Sequence, residues 1–226
     1  MKIISIFKAR FTNKAHQEAG FTIVELMIAS LVFSVILVVI TVGVIRFTNG
    51  YYRGINSSTT QTTAQNTIDS ISQAVQYSRG GTSAGGVGYF CAGSKVFTYT
   101  PGKQFGGVPI SADRGLYMMD NSGPACSNPA SPTGGVELLD KGMRVISASV
   151  TQPTAPSYLS NIKIKLAYGD DDLLCSQTAS PGSCTNETVL TGSQFTNSDV
   201  FCKAHLGSQF CSVVELSTVA QQRLQN

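Results

Sequence analysis

Residues 20–45 read GFTIVELMIASLVFSVILVVITVGVI, and the interpretation of that stretch governs the rest of the chain. From Leu26 to Ile45 there are twenty residues without a charge. As a helix rising about 1.5 Å per residue, such a run covers roughly 30 Å, the thickness of a bilayer's hydrocarbon core, and it is expected to cross a membrane. Lys2, Lys8, Arg10 and Lys14 precede it, against one acid, Glu18. The positive-inside tendency therefore keeps the N-terminal end cytoplasmic and sends everything after Arg46 outward. The run is followed by RFTNGYYRG, not by a small-residue A-x-A site, so ordinary signal peptidase is not expected to remove it.

Composition points the same way. Only 13% of the 226 residues are charged, about half the level of an average soluble domain, which disfavours a cytosolic enzyme and suits an exported surface protein. The formal charge of +3 sits entirely in residues 1–20, leaving twelve basic and twelve acidic residues in 21–226. A neutral body offers little counterion release, so nucleic acid is not an expected partner of the globular part. All six cysteines (Cys91, Cys126, Cys175, Cys184, Cys202, Cys211) lie beyond residue 90. An even number confined to the outward part favours disulfides, and no C-x2-4-C pair suggests zinc. Six cysteines allow fifteen arrangements. Local bridges Cys175–Cys184 and Cys202–Cys211 are favoured, leaving Cys91 and Cys126.

After the apolar run, residues 51–78 are rich in Ser, Thr, Gln and Asn, yet Ile55, Ile68, Ile71 and Val75, with Ala64 and Ala74 nearby, are spaced as one helical face. The spacing predicts one long helix over about 22–78, with Gly43, Gly50 and Gly54 as soft points and Arg79-Gly80-Gly81 as its stop. Beyond it, short β-like runs occur at 94–100, 114–120, 135–139, 143–151, 159–168 and 209–219. Ile162-Lys163-Ile164-Lys165-Leu166 alternates as a strand with one buried face. Segments 121–134 and 170–184 read as loops. The expected fold class is α+β: a long N-terminal helix, membrane-spanning in its first half, packed on a mostly antiparallel sheet.

Glu25 stands out. A carboxylate so close to the apolar run costs up to about 2.5–3.5 kcal/mol on insertion scales, less near the interface, and no basic residue lies near it on the helix. A free amino group would appear at Phe21 if the chain were cut after Gly20. The segment Gly20-Phe21-Thr22-Ile23-Val24-Glu25-Leu26-Met27-Ile28-Ala29 resembles the class III signal of type IV prepilins and pseudopilins: a basic leader ending in Gly, then Phe first and Glu fifth in the mature chain. The resemblance covers about 35 residues closely and the helix-then-sheet layout more loosely.

That resemblance implies cleavage between Gly20 and Phe21 by a prepilin peptidase, N-methylation of Phe21, and assembly with other pilin subunits through an assembly platform. Gly20 would let the protease approach the backbone, and Glu25 would neutralise the Phe21 amine of a neighbouring subunit in the filament core. The implied divisions are a leader over 1–20, a membrane and filament-core half-helix over 21–46, an amphipathic half over 47–79 and a disulfide-containing β-rich head over 80–226. The implied location is the cell membrane, single-pass, and then an extracellular fimbrium. The layout is similar to J- and W-type minor pilins, although the chain ends Arg223-Leu224-Gln225-Asn226. The competing expectation is a membrane-anchored adhesin that never enters a filament.

Weaker signals have plainer readings. Asp170-Asp171-Asp172 offers oxygen ligands for calcium but no EF-hand pattern, and reads first as a solvated acidic turn. His16 falls in the leader and His205 stands alone. The Gly-rich run 80–88 lacks a following Lys-Ser/Thr and reads as a loop, not a phosphate cradle. Tyr89, Phe90, Phe97 and Tyr99 are expected to fill the core. With no nucleophile motif and a single mature histidine, neither enzymatic chemistry nor a cofactor is expected.

Overall fold

The computed structural model describes residues 20–77, 82–83, 88–106, 115–121, 126, 135–151, 159–177, 199–203 and 207–223. The chain divides into two compact units, one up to Arg46 and one from Phe47 onward. A single helix, α1 (Ile23–Gln76), supplies the described secondary structure of the first and begins the second. It runs unbroken through Gly43, Gly50 and Gly54, so the expected soft points do not interrupt it. The expected stop at Arg79-Gly80-Gly81 lies outside the described residues.

Among the described residues the second unit holds three antiparallel sheets. A meander joins β1 (Thr82–Ser83), β2 (Tyr89–Ala92), β3 (Lys95–Tyr99), β4 (Leu116–Asp120) and β5 (Val136–Glu137), each hydrogen-bonded to the next. β6 (Met143–Thr151), β7 (Leu159–Tyr168) and β10 (Ser212–Gln221) form a second sheet with β7 in the middle. β8 (Leu174–Gln177) and β9 (Asp199–Cys202) make a separate ribbon. The architecture is α+β and pilin-like: a long, initially apolar helix whose later part packs on antiparallel sheets.

The packed face of α1 is Thr60, Thr63, Ala64, Thr67, Ile68, Ile71 and Val75, spaced three or four apart. It meets Phe90, Phe97, Leu116, Val145, Ile162, Ile164 and Leu166 in the main core. Phe90 and Phe97, paired across β2 and β3, stack at 4.9 Å, and the Tyr99 hydroxyl donates to the Ala148 carbonyl at 3.2 Å. Burial pushes that hydroxyl's pKa above its ordinary value, with the hydrogen bond that the Ala148 amide donates to it at 3.3 Å opposing the shift. Ile55 is a correction to the sequence reading, being 43% exposed. At 100° per residue it lies about 160–180° around the helix from Ala64, Ile71 and Val75, on the far side. Hydroxyls fill the face instead: Thr60 donates back to the Asn56 carbonyl at 2.7 Å, and Thr63 to Asp140 at 2.7 Å.

β6 shows how local geometry sorts side chains between two cores. Its register slips between Val145 and Ser147, a bulge at Ile146. Before the bulge Met143 and Val145 face the main core; after it Ala148 and Val150 do. Strict alternation would have turned Ser147 and Ser149 inward, so the extra residue restores an apolar face. Ile146 joins Ala167, Leu174, Val200 and Cys211 in a smaller core under the β8–β9 ribbon. β7 likewise alternates only as far as Ile164; from Lys165 to Ala167 it is buried on both faces. Lys165 lies opposite Glu215 in register, 3.7 Å from its carboxylate and 5.2 Å above the Phe201 ring.

The segment 170–184, expected to be a loop, contains a 3-10 turn (Asp171–Leu173) and β8. β1, β2 and β9 have no counterpart among the expected strands, and the start of the last one, at 209–210, belongs to a second 3-10 turn (Ser208–Phe210). Two disulfides join Cys91 to Cys126 and Cys202 to Cys211. Cys175 is also disulfide-bonded, and Cys184, its expected partner, lies outside the described residues. The β10 end closes onto the helix, where the Arg223 amide donates to the Gln76 carbonyl at 3.0 Å, satisfying one acceptor that a helix C-terminus leaves open.

Candidate functional site

The candidate site is the N-terminal entry to α1. Thr22 immediately precedes the helix, and its carbonyl accepts the first helical bond, from Leu26 at 3.2 Å. Its hydroxyl accepts from the Glu25 amide at 3.2 Å, while Glu25 Oε2 accepts from the Thr22 amide at 2.9 Å and hydroxyl at 3.0 Å. This reciprocal arrangement is a capping box, in which the third helical residue reaches back to the cap. The T-x-x-E spacing signals it in the sequence, but the sequence reading looked only for a charged partner. One oxygen of Glu25 thus caps the start of the helix, and among the described residues the other accepts no hydrogen bond.

Gly20 lies just outside the helix, and a Cβ built on it would meet nothing within 4 Å. The described residues do not themselves require glycine there. Phe21 is 84% exposed, and the apolar side chains from Ile23 to Ile45 are likewise uncovered. Polar groups in the run are satisfied internally: Ser30, Ser34 and Thr41 donate to the carbonyls of Met27, Ser30 and Leu37 at 2.9, 2.8 and 2.7 Å. That makes the segment compatible with lipid, where an unsatisfied donor is costly. By length and composition α1 is the one described helix able to cross a membrane.

The acidic triple has a structural use. Arg144, fully buried, donates to the Gly102 carbonyl at 3.1 Å, to the Gly169 carbonyl at 2.5 Å and to Asp171. Asp170 lies 3.4 Å from Gln104 Nε2. Gly169 adopts a φ of 124°, and a Cβ there would approach the Phe210 carbonyl to 2.9 Å, so glycine lets its carbonyl reach the guanidinium. Among the described residues no group of three or more His, Cys, Asp or Glu side chains is placed to hold a metal ion. His16 and His205 lie outside the described residues, as does most of the Gly-rich run.

The described residues thus combine an exposed apolar helix, with a capped acid at its start, and an α+β head of pilin-like architecture. Residues 16–41 match the family model described as the prokaryotic N-terminal methylation motif, and this match supports a type IV pilin or pseudopilin that is made as a prepilin and anchored through α1. No curated protein and no solved structure matches the chain.

Proposed function

We propose that the protein is a structural subunit, a minor pilin or pseudopilin of J- or W-like layout, of a type IV pilus-like filament. A prepilin peptidase removes residues 1–20, Phe21 is N-methylated, and residues 21–46 hold the subunit in the membrane with the head outside until an assembly platform packs them against other pilins. Residues 47–79 carry the β-rich head, 80–226. The observation that carries this reading is Glu25: a carboxylate beside an uncovered apolar run, held by Thr22 on one oxygen only. In a bundle of such helices the other oxygen faces low dielectric and requires a cation, and the processed amine of Phe21 on a neighbour is one the chain itself supplies.

N-terminal sequencing and mass analysis of the natural product test it. The expected chain begins at N-methylated Phe21. A Gly20→Leu variant is expected to keep its leader and run about 2 kDa heavier, scaled from 23.9 kDa over 226 residues. A wild-type product that begins elsewhere sinks the proposal. Immuno-electron microscopy separates it from the anchored adhesin, which would never label filaments.

A further inference from the structure

In the second unit, Arg53 and Ser57 on α1 line a cleft of about 470 Å³ together with Phe201, Lys203, Ser208 and Ser212, walled by the Cys202–Cys211 disulfide. Two cations and three hydroxyls line it, with no carboxylate among the lining residues. Lys95, Arg144 and Lys165 each pair with an acid; among the described residues Arg53 and Lys203 pair with none. The walls are held in place: Asn56 Nδ2 donates to the Gln209 carbonyl at 2.9 Å, and the Lys203 amide to the Leu173 carbonyl at 2.8 Å. The cleft is therefore preformed, and its chemistry suits a phosphate group.

Beside it runs a chain of exposed aromatic rings. Phe47, Tyr51, Tyr52 and Phe210 follow one another at centroid distances of 6.4, 6.2 and 5.6 Å, and all four are at least 44% exposed. Rings of this kind settle at the boundary between lipid tails and headgroups. In the sequence the charge-free run ends at Ile45, two residues before Phe47 and eight before Arg53.

We propose that this face of the head docks on the bilayer surface, with an anionic phospholipid headgroup in the Arg53–Lys203 cleft and Phe47, Tyr51, Tyr52 and Phe210 in the interfacial layer. The proposal rests on α1 being a membrane span. Because the body is neutral overall, attraction comes from this local pair of cations and not from a long-range field. Docking holds the head against the lipid before assembly and has to be broken when the subunit leaves the membrane.

The chain has no Trp, so a Phe210→Trp variant of the full chain carries a single indole on the patch. It is reconstituted in bilayers of phosphatidylglycerol or phosphatidylcholine doped with lipids brominated near the headgroup. The expected result is quenched, blue-shifted emission in phosphatidylglycerol that persists in excess inorganic phosphate. The docking constant is expected to fall about fivefold for each of Arg53→Gln and Lys203→Gln, and comparably in phosphatidylcholine. Emission that stays water-like, is unchanged by both substitutions or is reversed by free phosphate overturns the proposal. Val35→Trp in the same bilayers, quenched by deep bromines, reports the span. If that signal is present and the Phe210→Trp signal absent, docking alone fails; if both are absent, the span fails and docking with it.

Discussion

The most demanding prediction concerns Asp171, which the sequence places in a solvated acidic turn and the structure makes a counter-ion. Arg144 is completely buried, and Asp171, itself half-exposed, is its ionic partner beside two backbone carbonyls. Removing one partner of a fully buried pair costs about 3–5 kcal/mol because a charge is left uncompensated. The exposure of Asp171 admits water, and the two carbonyls remain, so the cost of Asp171→Ala reduces to about 2 kcal/mol, in the lower half of the range for hydrogen bonds to charged groups. For a unit the size of this head, 1 kcal/mol moves the midpoint by about 2–4 °C, giving a loss of about 4–8 °C. The assay is thermal unfolding of the full chain in detergent, followed by near-ultraviolet circular dichroism of its tyrosines. The diagnostic comparison is the same substitution in an Arg144→Met background, where Asp171 has nothing to neutralise and its removal is expected to cost less than about 2 °C by the same scaling. Equal losses in the two backgrounds would refute the counter-ion role. Millimolar calcium is expected to leave the wild-type midpoint unchanged; a clear rise would return the triplet to the ligand reading.

The other predictions are independent of that pair. Thr22→Val removes the hydroxyl from the capping box and is expected to leave cleavage after Gly20 intact while lowering incorporation into filaments, measured by sequencing and by immunoblotting of sheared filaments. Tyr99 ionises less readily in the folded chain than in the unfolded one, so its contribution to stability is intact below pH about 10 and is lost as pH rises through the folded value. Tyr99→Phe is expected to flatten the alkaline limb of a urea-midpoint profile. Loss of the Cys91–Cys126 bridge, which spans 35 residues, is expected to cost about 4 kcal/mol, and loss of Cys202–Cys211, spanning 9, about 2.5 kcal/mol, from loop-closure entropy. Paired Cys→Ser variants in urea check that order.

What was legible in the sequence is what is encoded locally. The Gly20–Ala29 signal was legible because its residues are contiguous, inside a linear motif that spans residues 16–41. β6 and β7 were legible from alternation, since most of their length has one apolar face on the main core. The bulge at Ile146 was not, because its parity change appears only when β7 is in register beside it. The packed face of α1 was half legible: Ile68, Ile71 and Val75 declare themselves, whereas Thr60, Thr63 and Thr67 look like surface residues until their neighbours are known. Ile55 misled because hydrophobicity was noted without its phase around the helix. β8 and β9 were missed because each is four residues long and pairs only with the other, across a long sequence gap. Arg144 gave no sign of burial, since the carbonyls and carboxylate that receive it come from segments 42 and 27 residues away.

The placement of β10 sets a timetable for biosynthesis. This strand pairs with β7 over ten residues, and the amide just after it latches the end of α1. The anchor and β7 are both made before this strand, so the second sheet keeps one edge of β7 unpaired until the chain through Gln221 has been translocated. A chain stopped before Ser212 lacks the partner of that edge and is expected to leave an anchored product that proteases clear.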